Sequence, residues 1–346
     1  INKKMKNIIF FVDAQKGPSG GGKVIYQYSS YIDSLKNFKS SVAHLEKKKI
    51  YKWINSINKK ISKKKNIETG WQFKELRVKK NHNFTWFDQK IKIKEDLSLS
   101  KDNDFVVLPE IFAHFAEDFL IKEKIPYAIF VQNGYAIFPT NNIRKLNLAY
   151  KKAKFVLAYS KDIKECIALA YPTVRNKILN VKYSIDYKKF NSRIKKENLI
   201  TYMPRKLSKH SELIMSFLNN SLPSNWRIKA IDNASEKQVY RLLEKSKFFL
   251  AFSNLEGLPL PPIEAALSGN KVIGYTGEGG KEYWREPIFT EIKTAELKNF
   301  CQKILLNLNL NFNIFLKKTT KQRKKISVQF SVENEKKYIN RFLKKI

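Results

Sequence analysis

The sequence predicts an α/β protein built as two parallel-sheet halves. Three observations carry this. Short apolar runs alternate with helix-period segments along the chain, 346 residues exceed one comfortable core, and the alternation restarts after a polar stretch near residue 191. A hydrophobic fraction of 43% with 13% aromatic residues is enough for two cores.

The first half opens with strand KNIIFFVDA (6–14), followed by the glycine loop KGPSGGGK and an apolar-periodic helix from Val24 to about Leu35. That is a strand–loop–helix unit of the Rossmann type. Residues 46–65 place Ile50, Trp53, Ile54, Ile57 and Ile61 at helical spacing among lysines, a stripe expected to pack on the domain, with a bilayer surface as the alternative. DFVVLPE (104–110), PYAIFVQN (126–133) and KFVLAYS (154–160) read as strands, alternating with helical stretches around 112–122, 141–152 and 161–170. KILNVKYSIDYKKF (177–190) closes the half, and NSRIKKEN (191–198) reads as a linker.

The second half restarts with strand NLITYM (198–203) and alternates to about Ile292, with helices over 294–326 and again near the end of the chain. Within it the most informative stretch runs from Asn254 to Tyr283. KSKFFLAFS (245–253) reads as a buried strand, and PPIEAALSG as a helix opened by Pro261–Pro262 and closed by Gly269. Glu256 therefore sits at a strand's C-terminal end and Glu264 in the first turns of the next helix. In open α/β sheets ligands bind outside those strand ends. Strand NKVIGY follows and ends in Gly277-Glu278-Gly279-Gly280, whose bare amides could approach an anion.

The chain carries 67 basic and 31 acidic residues, a formal charge of +36. Such a balance favours polyanionic partners, although an excess of lysine on every solvated surface gives the same number. Cys166 and Cys301 form no C-x-x-C, so a disulfide framework or zinc site is not expected and a reducing cytoplasm fits. The run IIFFV ends at Asp13 and reads as a strand, and no stretch approaches the ~20 apolar residues of a membrane helix. Any membrane association is expected to be peripheral, at the inner face.

The block at 254–283 resembles the donor-site signature of retaining, nucleotide-sugar-dependent glycosyltransferases of the GT-B fold, particularly family 4, with E-G-F-G-x-P-x-x-E before a small-residue helix, a strand and a G-G-x-x-E turn. Glu256, Gly257, Pro261, Glu264, Gly279 and Gly280 fall on that pattern. The resemblance implies two Rossmann-like domains facing across a cleft: an acceptor domain over 1–190, a donor domain over 191–330, and a helix at 331–346 returning to the first. Ile185-Asp186 and Phe190 match the element that ends the first domain of such enzymes.

The resemblance also implies roles. Glu264 binds the nucleotide ribose, while Glu256 and the amides of Gly257 and Leu258 hold hydroxyls of the donor sugar. Gly279 and Gly280 belong to the same donor site. Arg205, with Lys206 or Lys209 beside it, clamps the diphosphate leaving group after strand 198–203. Gly21 and Gly22 approach the donor, and Gln132, Asn133 and Tyr135 lie on the sugar and acceptor side, where many members carry a histidine. Pro259 stands where the family has its second glycine and offers no N–H. The implied partners are a nucleotide sugar, a glycan or lipid-linked acceptor and an anionic membrane surface, with no metal or cofactor.

Other readings fall short. Gly17 to Lys23 matches G-x-x-x-x-G-K, but Val24 replaces the hydroxyl residue that would hold Mg²⁺. Asp102-Asn103-Asp104 precedes a strand rather than following one, as a turn would. The four histidines, His44, His82, His114 and His210, show no metal-ligand spacing. A catalytically silent module of the same fold is weakened by the presence of both Glu256 and Glu264. A nucleic-acid-binding protein is weakened by the lack of aromatic-interleaved basic motifs.

Overall fold

A computed structural model describes residues 5–15, 17, 19–47, 76–85, 89–190 and 194–346. The chain divides into two compact units, one of Ile1–Tyr159, Ile163–Val181 and Phe342–Ile346, the other of Ser160–Asp162 and Lys182–Arg341.

The first unit holds a seven-stranded sheet in the order β3-β2-β1-β4-β5-β6-β7, formed by Lys6–Asp13 (β1), Phe38–Lys47 (β2), Leu76–Val78 (β3), Asp104–Pro109 (β4), Tyr127–Val131 (β5), Phe155–Ala158 (β6) and Ile178–Asn180 (β7). Its pairings are parallel except β2 with β3. β4 and β5 are buried at every position, as strands covered on both faces must be. Helix α1 begins at Gly20, not Val24, and runs to Asp33. Ser19 caps it, its hydroxyl accepting the Gly22 N–H at 3.2 Å, so the three glycines form the first turn instead of a loop. β2 went unassigned in sequence because its buried face includes Ser40 and His44, which blur the apolar alternation. The helical stripe expected over 46–65 starts inside β2 with Glu46 and Lys47, and its remainder lies outside the described residues.

The second unit holds a five-stranded, all-parallel sheet in the order β12-β11-β10-β8-β9, from Glu197–Tyr202 (β8), Arg227–Ala230 (β9), Ser246–Glu256 (β10), Lys271–Glu278 (β11) and Phe289–Glu291 (β12). β10 lies at its centre, buried from Phe248 to Ser253, with Trp226 stacked on Phe248. Helices α2 (Ile143–Lys152) and α3 (Lys161–Ala170) lie in the first half of the chain, and α4 (Ser208–Leu218), α5 (Glu236–Lys245), α6 (Pro261–Leu267), α7 (Leu297–Asn307), α8 (Phe312–Gln329) and α9 (Val332–Leu343) in the second.

The division between units falls at Val181/Lys182, earlier than residue 190, for a visible reason. The Ile185 N–H donates to the Phe330 carbonyl at 2.9 Å, and the Ser184 N–H to the buried Glu335 carboxylate at 2.7 Å, tying this segment to the second unit. Most of α9 belongs to that unit as well. Only Phe342–Ile346 group with the first, where Phe342 packs edge-on against Phe105 and Phe155.

Both sheets have a topological switch point. In the first, the chain leaves β1 for β2 on one side and later β4 on the other; in the second, β9 and β10 flank β8 in the same way. The crevices beyond β1/β4 and β8/β10 are where such sheets hold ligands.

Candidate functional site

At the switch point of the second unit three charged side chains converge. β8 ends at Tyr202 and leads into Pro204-Arg205-Lys206, while the end of β10 delivers Glu256 after a register shift between Ser253 and Glu256. The Lys206 Nζ stands 3.7 Å from the Glu256 Oε2, with 20% of the Glu256 side chain exposed. Burial pushes the Glu256 carboxyl above its ordinary value, while the positive charges of Lys206 and Arg205 pull it down. Lys209 does not join them: it lies on α4, exposed, and pairs with Glu212 at 3.8 Å. Spacing alone could not choose between Lys206 and Lys209; of the two, Lys206 is the one paired with Glu256. Glu264 occupies the first turn of α6, half-buried, as its Pro261–Pro262 opening predicts.

The glycine turn after β11 is packed against the loop that carries Glu256. Glu278, paired in register with Glu256, adopts φ 68° and ψ −63°, a strained γ-turn conformation for a non-glycine residue that folds the chain back. Gly279 then meets Gly257 so closely that a Cβ would stand 2.0 Å from the Gly257 carbonyl oxygen. A Cβ on Gly280 would touch Pro259 and Tyr283 at 3.3 Å. The buried Tyr283 hydroxyl donates to the Pro259 carbonyl at 2.6 Å, so the proline that lacks an N–H is held by its oxygen. Tyr283 is a loop-positioning residue the sequence reading left without a role. Its signal was available, since a buried tyrosine needs a partner for its hydroxyl. Gly257 and Leu258 lie buried in this loop.

In the first unit Gly21, Gly22, Gln132 and Asn133 also come together, but their mutual contacts account for much of their chemistry. The Gln132 Nε2 donates to the Gly21 carbonyl at 3.0 Å, and a Cβ on Gly21 would collide with the Gln132 amide. Gly22 faces the Phe84 ring, 2.6 Å from where its Cβ would be. The Tyr159 hydroxyl donates to the Gln132 carbonyl at 2.6 Å. The Asn133 side chain caps a short 3-10 turn, accepting the N–H of the exposed Tyr135.

Beneath this loop lies Glu110, the first residue after β4 at the β1/β4 switch point. It is 4% exposed and accepts the Asn133 N–H at 2.9 Å. Burial raises its carboxyl to about 7, against the lowering effect of N–H donors from Gln132, Glu110 itself and Asn133. An acid whose folded value lies above its unfolded value contributes stability that is lost as the pH rises from about 4.5 through about 7. Glu110→Gln keeps an acceptor and removes the titration. Its denaturation midpoint is expected to fall less than the parent's between pH 5 and pH 7.5; equal changes would remove Glu110 as a source of the pH dependence.

The remaining sequence candidates resolve simply. Asp104 is buried and accepts from the Asn7 Nδ2 at 2.7 Å and the Ser100 N–H at 2.8 Å, which is turn chemistry at the head of β4. His210 contacts the Tyr275 hydroxyl at 3.2 Å, and His44 contacts the Tyr26 hydroxyl at 2.8 Å. Among the described residues no group of three or more His, Cys, Asp or Glu side chains could hold a metal. No helix among the described residues is long and apolar enough to cross a membrane.

No family model matches the chain. A protein of Sulfolobus islandicus filamentous virus with the provisional name glycosyltransferase 41 is 50% identical over 48 residues, 14% of this chain and 15% of the viral protein. Solved structures resemble it over nearly its whole length. HepE of Anabaena in complex with UDP-glucose aligns with a TM-score of 0.66 at 10% identity, covering 98% of this chain and 100% of its own. TarM gives 0.62 at 12% identity, with 100% and 99% covered. The lipopolysaccharide outer core galactosyltransferase WaaB gives 0.58 at 14% identity, with 98% and 100% covered. Two Rossmann-like bodies, each a mostly or wholly parallel sheet with a switch point, and this likeness together give the chain the GT-B fold.

Proposed function

We propose that this protein is a glycosyltransferase that moves a hexose-like sugar from a nucleoside diphosphate to a glycan or lipid-linked acceptor, with retention of configuration, in surface polysaccharide assembly. The observation that carries the reading is the convergence of Arg205, Lys206 and Glu256 at the β8/β10 switch point, with Glu264 on the helix that leaves it. UDP and UDP-glucose complexes among the similar structures support the ligand class. In this reading Glu264 holds the ribose hydroxyls, Arg205 and Lys206 neutralise the diphosphate, and Glu256 with the Gly257 and Leu258 amides orients the sugar. Gly279 and Gly280 support the loop that does so. A nucleoside diphosphate at 100 times its dissociation constant should add about 2.7 kcal/mol of stability. A panel of nucleoside diphosphates and nucleotide sugars tested by thermal melting is expected to contain at least one that raises the midpoint. A panel without effect would count against the reading.

Retention rests on what the first unit lacks. Inversion needs a base poised to take the acceptor proton. Gln132 and Asn133 are amides, and the carboxylate that contacts their loop, Glu110, is buried beneath it and occupied by its N–H groups. The leaving phosphate is then the group that takes the proton. Glu110→Gln is expected to keep substantial activity, and NMR of the product to show the donor's anomeric configuration. An inverted centre, with activity lost in Glu110→Gln, would overturn the mechanism. The chain's +36 charge further fits an acceptor that is anionic or carried on an anionic surface.

A further inference from the structure

Helix α8 is the longest helix among the described residues, 18 residues from Phe312 to Gln329. Its inner face is fixed by Phe312, Phe315, Thr319 and Ile326, all buried, with Phe312 edge-on to Phe248. At 100° per residue, Lys317, Lys318, Lys321, Lys324 and Lys325 fall in one arc of roughly 120° on the opposite side, and every one is exposed. Ile314 and Val328 extend the same stripe at its two ends, 49% and 57% exposed. The helix contains no acidic residue, so nothing along it neutralises the row. At 1.5 Å per residue the row from Lys317 to Lys325 extends about 12 Å along the helix.

We infer that this stripe is a docking surface for an anionic lipid bilayer. Two features select a membrane over nucleic acid. The row is built of lysines, compact point charges suited to a diffuse sheet of phosphates, and not of arginine forks that read bases and stack on them. Its ends carry aliphatic side chains, which gain by entering the headgroup region, and no exposed aromatic for a base to stack on. The surface lies away from the switch-point residues in sequence and is separate from the 46–65 stripe considered first. It deepens the expectation of an acceptor held at an anionic surface, and its test is read without turnover, so the two readings can fail separately.

The test is flotation of the whole chain with vesicles of phosphatidylcholine containing 30% phosphatidylglycerol, and with phosphatidylcholine alone. A juxtamembrane lysine contributes about fivefold in partitioning. The triple variant Lys317→Glu/Lys321→Glu/Lys324→Glu is therefore expected to bind anionic vesicles at least 100-fold more weakly, and neutral vesicles should bind neither protein. A charge-matched control, Lys151→Glu/Lys152→Glu/Lys164→Glu, changes exposed lysines elsewhere and should bind like the parent. Raising the salt fivefold should weaken the parent and leave the triple variant little changed. Equal losses in both variants would show that net charge acts without a surface, and overturn the proposal. So would an unaffected triple variant, or a stripe that binds duplex DNA or RNA while the parent ignores anionic vesicles. All six side chains are exposed, and a circular dichroism melt of each variant checks that the fold is kept.

Discussion

Arg205→Ala is expected to lower turnover of the nucleotide sugar about 100-fold or more, read as release of the nucleoside diphosphate. In the proposed reaction the group leaving the sugar is a diphosphate whose bridging oxygen gains charge as the bond breaks. A cation already in place there stabilises the transition state more than the ground state, and losing it typically costs factors of 10²–10³, roughly 3–4 kcal/mol. Arg205 follows β8 at the switch point, beside Lys206 and the buried Glu256. Because the effect belongs to the transition state, kcat and kcat/KM should fall together. Lys206→Ala should be milder in turnover but should also remove the partner that draws the Glu256 carboxyl down, so Glu256 titrates higher in that variant. Near-normal turnover in Arg205→Ala would take the leaving-group role away from it.

Gly279→Ala is the second change with a large expected effect, and it acts through backbone packing. The added methyl would lie 2.0 Å from the Gly257 oxygen and 2.7 Å from the Glu256 oxygen, contacts that no side-chain rotation relieves. Either the glycine turn or the Glu256 loop must move. Overpacking of this kind costs about 3 kcal/mol. For a unit of this size that is roughly 6–12 °C in the midpoint of its unfolding transition. Nucleotide affinity should fall with it, because the displaced loop carries Glu256, Gly257 and Leu258. Gly21→Ala is the internal comparison, since the atom it meets is the end of the Gln132 side chain, which can swing aside. Its loss of stability should be far smaller. Comparable melting of Gly279→Ala and the parent would show that the two loops are not locked as described.

Apart from β2, much of the alternation of strands and helices was legible in the sequence, and with it the places where Glu256, Glu264 and Arg205 stand, because strand ends and helix starts are marked by local apolar runs, prolines and glycines. Three things were not. The three glycines at 20–22 read as a loop from their composition, whereas Ser19 turns them into a helix start and Phe84, 62 residues beyond Gly22, fills the space a side chain would take. That Gly279 must lack a Cβ was not visible either, since the atom that requires it belongs to Gly257, 22 positions earlier. Lys209 and Lys206 are equivalent by spacing, and only the fold shows that Lys206 pairs with Glu256 and Lys209 with Glu212. Each depends on long-range packing or helical phase, which no local pattern encodes. The donation from the Gln132 amide to the Gly21 carbonyl is a further long-range contact of this kind.

The central claim is that the second unit holds a nucleoside diphosphate through the Glu256–Glu264 block. Calorimetric titration of the parent and of Glu264→Ala with the nucleoside diphosphate that most raises the melting midpoint tests it most directly. A carboxylate accepting two ribose hydroxyls contributes about 1.5–3 kcal/mol, so affinity in Glu264→Ala should fall roughly 10- to 150-fold, with the melting profile of the free protein little changed. Equal affinity in the two proteins, with folding intact, would contradict the assignment of the donor site.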